Sequence, residues 1–311
     1  MHPYTYGAAL CVLGGGMSFG LLASVVNLGL ARGFSVGEIT GMQQLSGAVM
    51  VWLLSAFWRR HWQKIDGRTV LALMAVGSLS GLTGIFYYNA MAHSSVSTGI
   101  VLLFQFTWIG VLLEWLFDKR NPRPTTYVSL LMLIVGTALA ANMFSDTAED
   151  FSWTGVAYGL LSAVTFALYL YLSGKTAPHL SPWQRSPMMV TGSCLLILCL
   201  FPPVYLTAET LAAGLGWIGF ASGLLGAVIP PICFAAGTPH LKPGTVTILS
   251  SVELPTAVLA AWLIVHETVL PKQWLGVFLI LAAIVLHENA DAGKRKRHPV
   301  NRIEIFKQKR P

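Results

Sequence analysis

A carboxylate and a proline stand two residues apart inside an apolar run. The stretch "SSVELPTAVLAAWLIVHE", residues 250–267, carries Glu253 and Pro255 and finishes on His266 and Glu267. A charged side chain at the centre of a membrane helix costs about 2.5–3.5 kcal/mol on insertion scales, so such residues face a protein interior or a wet cavity. Proline has no N–H to offer the carbonyl four residues back, which here is that of Ser251. At helical spacing Ser250, Glu253 and Ala257 share a face, a surface of small residues beside a freed carbonyl. Glu253 there suits contact with a substrate amine or the binding of a proton. The plainer alternative is a protonated side chain that hydrogen-bonds one helix to its neighbour.

Other polar residues sit in similar surroundings. "GIFYYNAMAHSS" places Tyr88 and Asn89 near a helix end, where tyrosine serves either as a substrate contact or as an interfacial anchor. Gln43 and Gln44 are adjacent and so cannot share a helical face. Gln44, with Ala48 and Ser55 following on its stripe, is the one expected to meet a cavity. Glu114 and Glu267 lie near the ends of apolar runs, as gate residues or as boundary pairs, Glu267 with Lys272 for instance. His93, His240 and His266 are expected at helix ends as boundary residues. The four cysteines have no CxxC pair or metal-ligand spacing and read as free thiols. No phosphate loop, HExxH or GxSxG signature occurs, which points away from ATP-driven transport and from an enzyme. No cofactor and no metal are expected.

These residues need elements to hold them, and composition says which. Of 311 residues 54% are hydrophobic and 11% charged, with a mean hydropathy of +0.63. Soluble domains carry about 25% charged residues. The chain is therefore expected to be an all-α membrane protein. A span takes about 20 mostly apolar residues, and ten such stretches are present: 5–31, 38–58, 69–92, 97–117, 124–142, 153–173, 185–205, 211–236, 243–265 and 272–289. A nine-span count is the alternative, because the breaks at 93–97 and 237–243 are slight. The N-terminal stretch lacks a basic leader and is expected to be retained as the first span. Pro230 and Pro231 predict a kink in the eighth span, either static or serving as a hinge.

Ten spans put both termini on one side, and basic residues choose it. Arg59, Arg60, Lys64, Arg68, Lys119, Arg120, Arg123, Lys175, Arg185, Lys242 and the basic tail fall on one face. Arg32, Lys272 and the acidic Asp146, Glu149 and Asp150 fall on the other. Both termini are expected in the cytoplasm, in a multi-pass cytoplasmic (inner) membrane protein. The tail "GKRKRHPVNRIEIFKQKRP" suits lipid headgroups and topology rather than nucleic acid.

The chain also repeats. A shift of 148 residues lays "YGAALCVLGGGMSFG" on "TGVAYGLLSAVTFAL" and "SVSTGIVLLFQFTW" on "PGTVTILSSVELPT". Gln105 then pairs with Glu253, and Trp108, on the face of Gln105, becomes a group that stacks a flat substrate or simply packs. Five spans per half make the second half enter from the opposite face, an inverted repeat with sites near the midplane. The expected units are 1–146, 147–290 and a basic tail, 291–311.

Two five-helix halves, short turns between spans 3–4 and 8–9, and a P-x11-E run from Pro255 to Glu267 resemble the drug/metabolite transporter superfamily, in particular its EamA-type ten-helix exporters. The resemblance departs where Leu254 separates Glu253 from Pro255, and where Thr107 and Lys119 stand in the first half for the proline and terminal Glu. It implies export of a small metabolite, an amino acid among the candidates, by alternating access. Substrate contacts would come from Glu253, Gln105, Trp108, Tyr88, Gln44 and Ser250, with Glu114 and Glu267 at the gates. The partners would be a small-molecule substrate, protons and the lipid bilayer, in a monomer or a homodimer. A non-transporting scaffold or sensor is the competing expectation, and it requires no central cavity.

Overall fold

The computed structural model describes residues 3–58, 62–93, 96–119, 121–140, 152–265 and 269–297. Among them every regular element is helical. The chain runs through α1 (Pro3–Ala31), α2 (Val36–Ala56), α3 (Gly67–His93), α4 (Val96–Leu103) and α5 (Phe106–Asp118). Next come α6 (Pro124–Ala140), α7 (Trp153–Lys175) and α8 (Pro182–Leu200). Short pieces follow: α9 (Ala208–Thr210), α10 (Gly216–Ser222) and α11 (Ile229–Gly237), joined by π-helical turns at Leu211–Leu215 and Gly223–Val228. α12 (Pro243–Ser250), α13 (Glu253–Ala260) and α14 (Pro271–Arg297) complete the described chain. His266, Glu267, the acidic Asp146, Glu149 and Asp150, and the tail beyond Arg297 lie outside the described residues. α14 continues to Arg297, past residue 289 and into the stretch expected as tail.

Among the described residues six helical stretches are long and apolar enough to cross a membrane, and α6 and Pro271–His287 are shorter apolar helices. α2 packs on α8, and each buries polar side chains, Gln43 and Gln44 on α2 and Gln184 and Arg185 on α8. Their interior faces are polar, which dilutes their hydropathy. The protein is an all-helical, multi-pass membrane protein.

Three stretches expected as single helices are broken. The turn at Phe104–Gln105 divides α4 from α5, with the Thr107 N–H donating to the Phe104 carbonyl at 3.2 Å. The turn at Ser251–Val252 divides α12 from α13. Pro255 was expected to leave the Ser251 carbonyl free, but the Leu254 N–H donates to it at 3.3 Å. The proline lost one partner and the turn supplied another. Pro230 and Pro231 sit in the first turn of α11, where a missing N–H removes no helical bond, and the wider π-helical turn ends just before them.

α3 packs on α7 and α8, α1 on α11 and α13, α6 on α14, and α5 on α12. Lipid gives helices no hydrophobic reason to associate, so small residues and close approach must do it. At Gly20 a methyl group would meet the backbone of Glu253 and Ala257, so only glycine lets α1 lie this close to α13. At Gly159, on α7, the obstacle is the side chain of Leu102.

At the end of the bundle where α2 leaves for α3, side chains knit the segments together. The rings of Trp58 and Trp183 stack with centroids 5.6 Å apart and planes 7° apart. The Gln63 N–H donates to Gln184 Oε1 at 3.0 Å, and Gln184 Nε2 donates back to the Gln63 carbonyl at 2.7 Å. Arg185, expected as a loop charge, is instead fully buried in the first turn of α8. Its guanidinium donates to the Ala235 carbonyl of α11 at 2.8 Å and to the Ser173 carbonyl of α7. A cation out of water requires such acceptors, and here it ties the ends of α7 and α11 to α8.

Candidate functional site

A cavity of about 350 Å3 occupies the half of the bundle nearer the α1–α2 turn. That is within the small-molecule range of about 300–1,000 Å3. α1 contributes Phe19, Ser24 and Asn27, α2 Thr40, Gln43 and Gln44, and α3 Thr83, Tyr87 and Tyr88. α13 contributes Glu253, Leu254, Ala257 and Val258. The cavity extends to Ala140 at the end of α6 and Gln273 at the start of α14, where Gln273 Nε2 donates to the Ala140 carbonyl at 3.3 Å.

The polar groups around this space are poor in partners. Glu253 is the one charged residue among the described lining residues, and its carboxylate makes no hydrogen bond to another described residue. Thr40 is 2% exposed and Gln43 and Gln44 are 6% exposed, yet Thr40 Oγ1, Gln43 Oε1 and Gln44 Oε1 have no protein partner. Leaving a buried acceptor unsatisfied costs about 1–3 kcal/mol. All three residues line the cavity, while these oxygens themselves are buried in its wall. Tyr87 and Tyr88 stand beside them with ring centroids 5.8 Å apart.

Beyond the cavity, toward the other end of the bundle, aromatic rings fill the interior. Phe166 meets Phe106 edge-on at 4.7 Å and Phe19 at 5.9 Å; Phe19 and Tyr169 reach Phe234 at 6.0 and 6.2 Å. Such pairs add about 0.5–1.5 kcal/mol each to the apolar burial. The rings draw on α1, α5, α7 and α11, and the Arg185 tie to α7 and α11 lies beyond them, toward the Trp58–Trp183 end. One end holds the cavity; the other is packed with rings and tied by Arg185.

The structure brings Glu253, Tyr88 and Gln44 to the same cavity. Gln43 joins them, although only one of the glutamines was expected there. Neighbours 100° apart both reach a cavity that wraps around α2. Gln105 and Trp108 do not reach it. Gln105 Nε2 donates to the Val101 carbonyl at 2.8 Å, and the Trp108 indole N–H donates to Gln105 Oε1 at 2.8 Å, with Trp108 on the outer surface. The reason is a register one residue different from the expected one. Gln105 precedes α5 as Val252 precedes α13, so in the frame of the breaks Glu253 corresponds to Phe106, which is buried. Ser250 is fully buried, its hydroxyl donating to the Val246 carbonyl at 2.8 Å, because the turn at 251–252 changes the phase between α12 and α13. Glu114 accepts the Gly244 N–H at 2.9 Å, capping the start of α12 away from the cavity. Thr40 and Tyr87 were missed. Thr40 sits one turn before Gln44, so the stripe that singled out Gln44 would have reached it if followed backwards.

Comparison with known proteins supplies a context for this geometry. Residues 7–142 and 153–287 each match the EamA-like transporter family. The threonine/homoserine exporter RhtA of Escherichia coli (strain K12) is 27% identical over 253 residues, 78% of this chain and 79% of its own. The uncharacterized transporter YwfM of Bacillus subtilis (strain 168) is 23% identical over 202 residues, 64% of this chain and 67% of its own. A probable 4-amino-4-deoxy-L-arabinose-phosphoundecaprenol flippase subunit, ArnE of Salmonella typhi, is 36% identical over 70 residues, 22% of this chain and 61% of its own. A crystal structure superposes on 90% of this chain and 96% of its own with a TM-score of 0.71 at 14% identity, a likeness of fold. With most of its length matched in two consecutive segments, the chain belongs to the EamA-like transporter family.

Proposed function

We propose that the protein is a secondary transporter of the cytoplasmic membrane that exports a small metabolite by alternating access. The observation that carries this is the cavity, with one carboxylate, Glu253, among its described lining residues and uncharged polar side chains on α2. A pure scaffold has no use for such a space. The architecture behind it is ten spans in two inverted halves, residues 1–146 and 147–290, with the rest a basic tail. Three features support that architecture. The family matches the chain twice in succession. Each half carries one helix interrupted by a two-residue turn, at Phe104–Gln105 and at Ser251–Val252. Much of the packing also survives exchange of the halves: α3 on α7 answers α1 on α11, α3 on α8 answers α2 on α10, and α6–α14 answers itself.

The basic loops favour a cytoplasmic location for both termini. On that orientation the cavity faces outward and the aromatic layer with Arg185 closes the inward path. Glu253 serves as the site where cargo and proton compete, and Tyr88 and Gln44 contact the cargo. Amino acids are candidate cargoes, in line with the substrates in the name of RhtA. A metabolite-resistance screen on overproducing cells tests the transport reading, which fails if no compound is better tolerated than in cells making Glu253→Leu. In vesicles, a pH gradient is expected to accelerate wild-type flux and to leave Glu253→Gln unmoved. Normal flux by Glu253→Gln with and without the gradient would overturn proton exchange.

A further inference from the structure

The cavity's charge balance narrows the cargo further. Resting on the transport reading above, we infer that the site takes a monovalent organic cation, a protonated amine on a compact apolar body, in preference to a zwitterionic amino acid. Among the described lining residues there is one carboxylate, Glu253, and no lysine, arginine or histidine. An ammonium group offers up to three N–H donors. It would find the Glu253 carboxylate in a lining whose other polar side chains, Thr40, Gln43 and Gln44 among them, are uncharged. Phe19, Phe104, Tyr87 and Tyr88 supply faces for an apolar body and for cation–π contact.

A free carboxylate has no such welcome. In a space screened less than bulk water it would stand near Glu253 with no basic side chain among the described lining residues to balance it. A broken helix often seats an anion on the free N–H groups of its second half. Here the Leu254 N–H goes to the Ser251 carbonyl at 3.3 Å, the Thr256 N–H goes to the Val252 carbonyl at 3.1 Å, and Pro255 has none, so at most the Glu253 N–H is left for an anion. With one carboxylate among the described lining residues, a dication is equally disfavoured.

Three probes with one shared body decide the matter: phenethylamine, phenylalanine and 2-phenylethanol, titrated by calorimetry into the detergent-purified full-length protein. Phenethylamine is expected to bind at least about tenfold more tightly than either relative, a difference of about 1.4 kcal/mol. Glu253→Gln is expected to reduce it to the level of the alcohol. Equal or tighter binding of phenylalanine overturns the inference and leaves the transport reading standing. Equal binding of the alcohol overturns it too, by reducing the site to an apolar fit. Absence of binding by all three also overturns it, and the resistance screen then judges transport separately. The wild-type comparison stands even if Glu253→Gln folds poorly.

Discussion

The two broken helices show what a shared backbone does and does not impose. Each is interrupted by a two-residue turn, closed by a short N–H to carbonyl bond from beyond the break. After the turn, α13 begins with Glu253 and reaches Pro255 two residues on, while α5 begins with Phe106 and reaches Trp108. The first pair meets the cavity through its carboxylate. The second gives one ring to the packed aromatic layer and one to the outer surface. Similar turns therefore serve an open region and a closed one, and the side chains decide which.

Substitutions at corresponding positions test that division. Glu253→Leu is expected to lower vesicle flux about 100-fold, in line with about 2–5 kcal/mol for truncating a buried charged contact. Phe106→Leu should keep flux within about threefold of wild type, since the ring is not among the described lining residues of the cavity and its loss acts on packing and stability instead. Equal losses at the two positions would break the comparison. The glycine seats of the broken helices should differ next. Gly20→Ala pushes against the backbone of α13, which cannot yield, and is expected near the top of the range of about 1–3 kcal/mol for overpacking. Gly159→Ala meets the Leu102 side chain and should cost about 1 kcal/mol, both read by thermal unfolding in detergent. Gln44→Leu is expected to cut flux about tenfold, the loss of one hydrogen bond to a charged cargo of about 1.5 kcal/mol, whereas Gln105→Leu should leave flux within about twofold. A Gln105 effect as large as that of Gln44 would return Gln105 to the transport path. Smallest of all, Asp118→Asn removes the partner of the partly exposed Lys175 and should lower stability by about 1 kcal/mol or less.

Glu253 was legible in the sequence because its oddity is local: a charge within an apolar run needs no knowledge of the fold to be noticed. The same holds for the helical class and for Tyr88 and Gln44, which lie on helices read from their apolar stretches. Gln105 was misplaced because a turn consumes residues in a way that periodicity does not register, and a shift of one residue moves a side chain by 100° around a helix. Arg185 was misread for the opposite reason. A basic residue near a loop looks like a loop residue, and its acceptors, the Ser173 and Ala235 carbonyls, lie on other helices. Unpartnered oxygens such as Thr40 Oγ1 are beyond sequence altogether, since they are defined by what packs around them.

The stacked indoles of Trp58 and Trp183 give the protein an optical signature of its own. Two such chromophores 5.6 Å apart couple their electronic transitions, and a pair whose in-plane transition moments are skewed contributes a dichroism that neither ring has alone. Trp52–Trp62 and Trp262–Trp274 are as close, at 5.8 and 5.5 Å, so the difference between wild type and Trp183→Phe isolates the part that belongs to the junction of α2 with α8, at the end of the bundle opposite the cavity. Any cycle that parts those helices should therefore change the spectrum of the unlabelled protein, and the time course of that change would time the cycle without a dye.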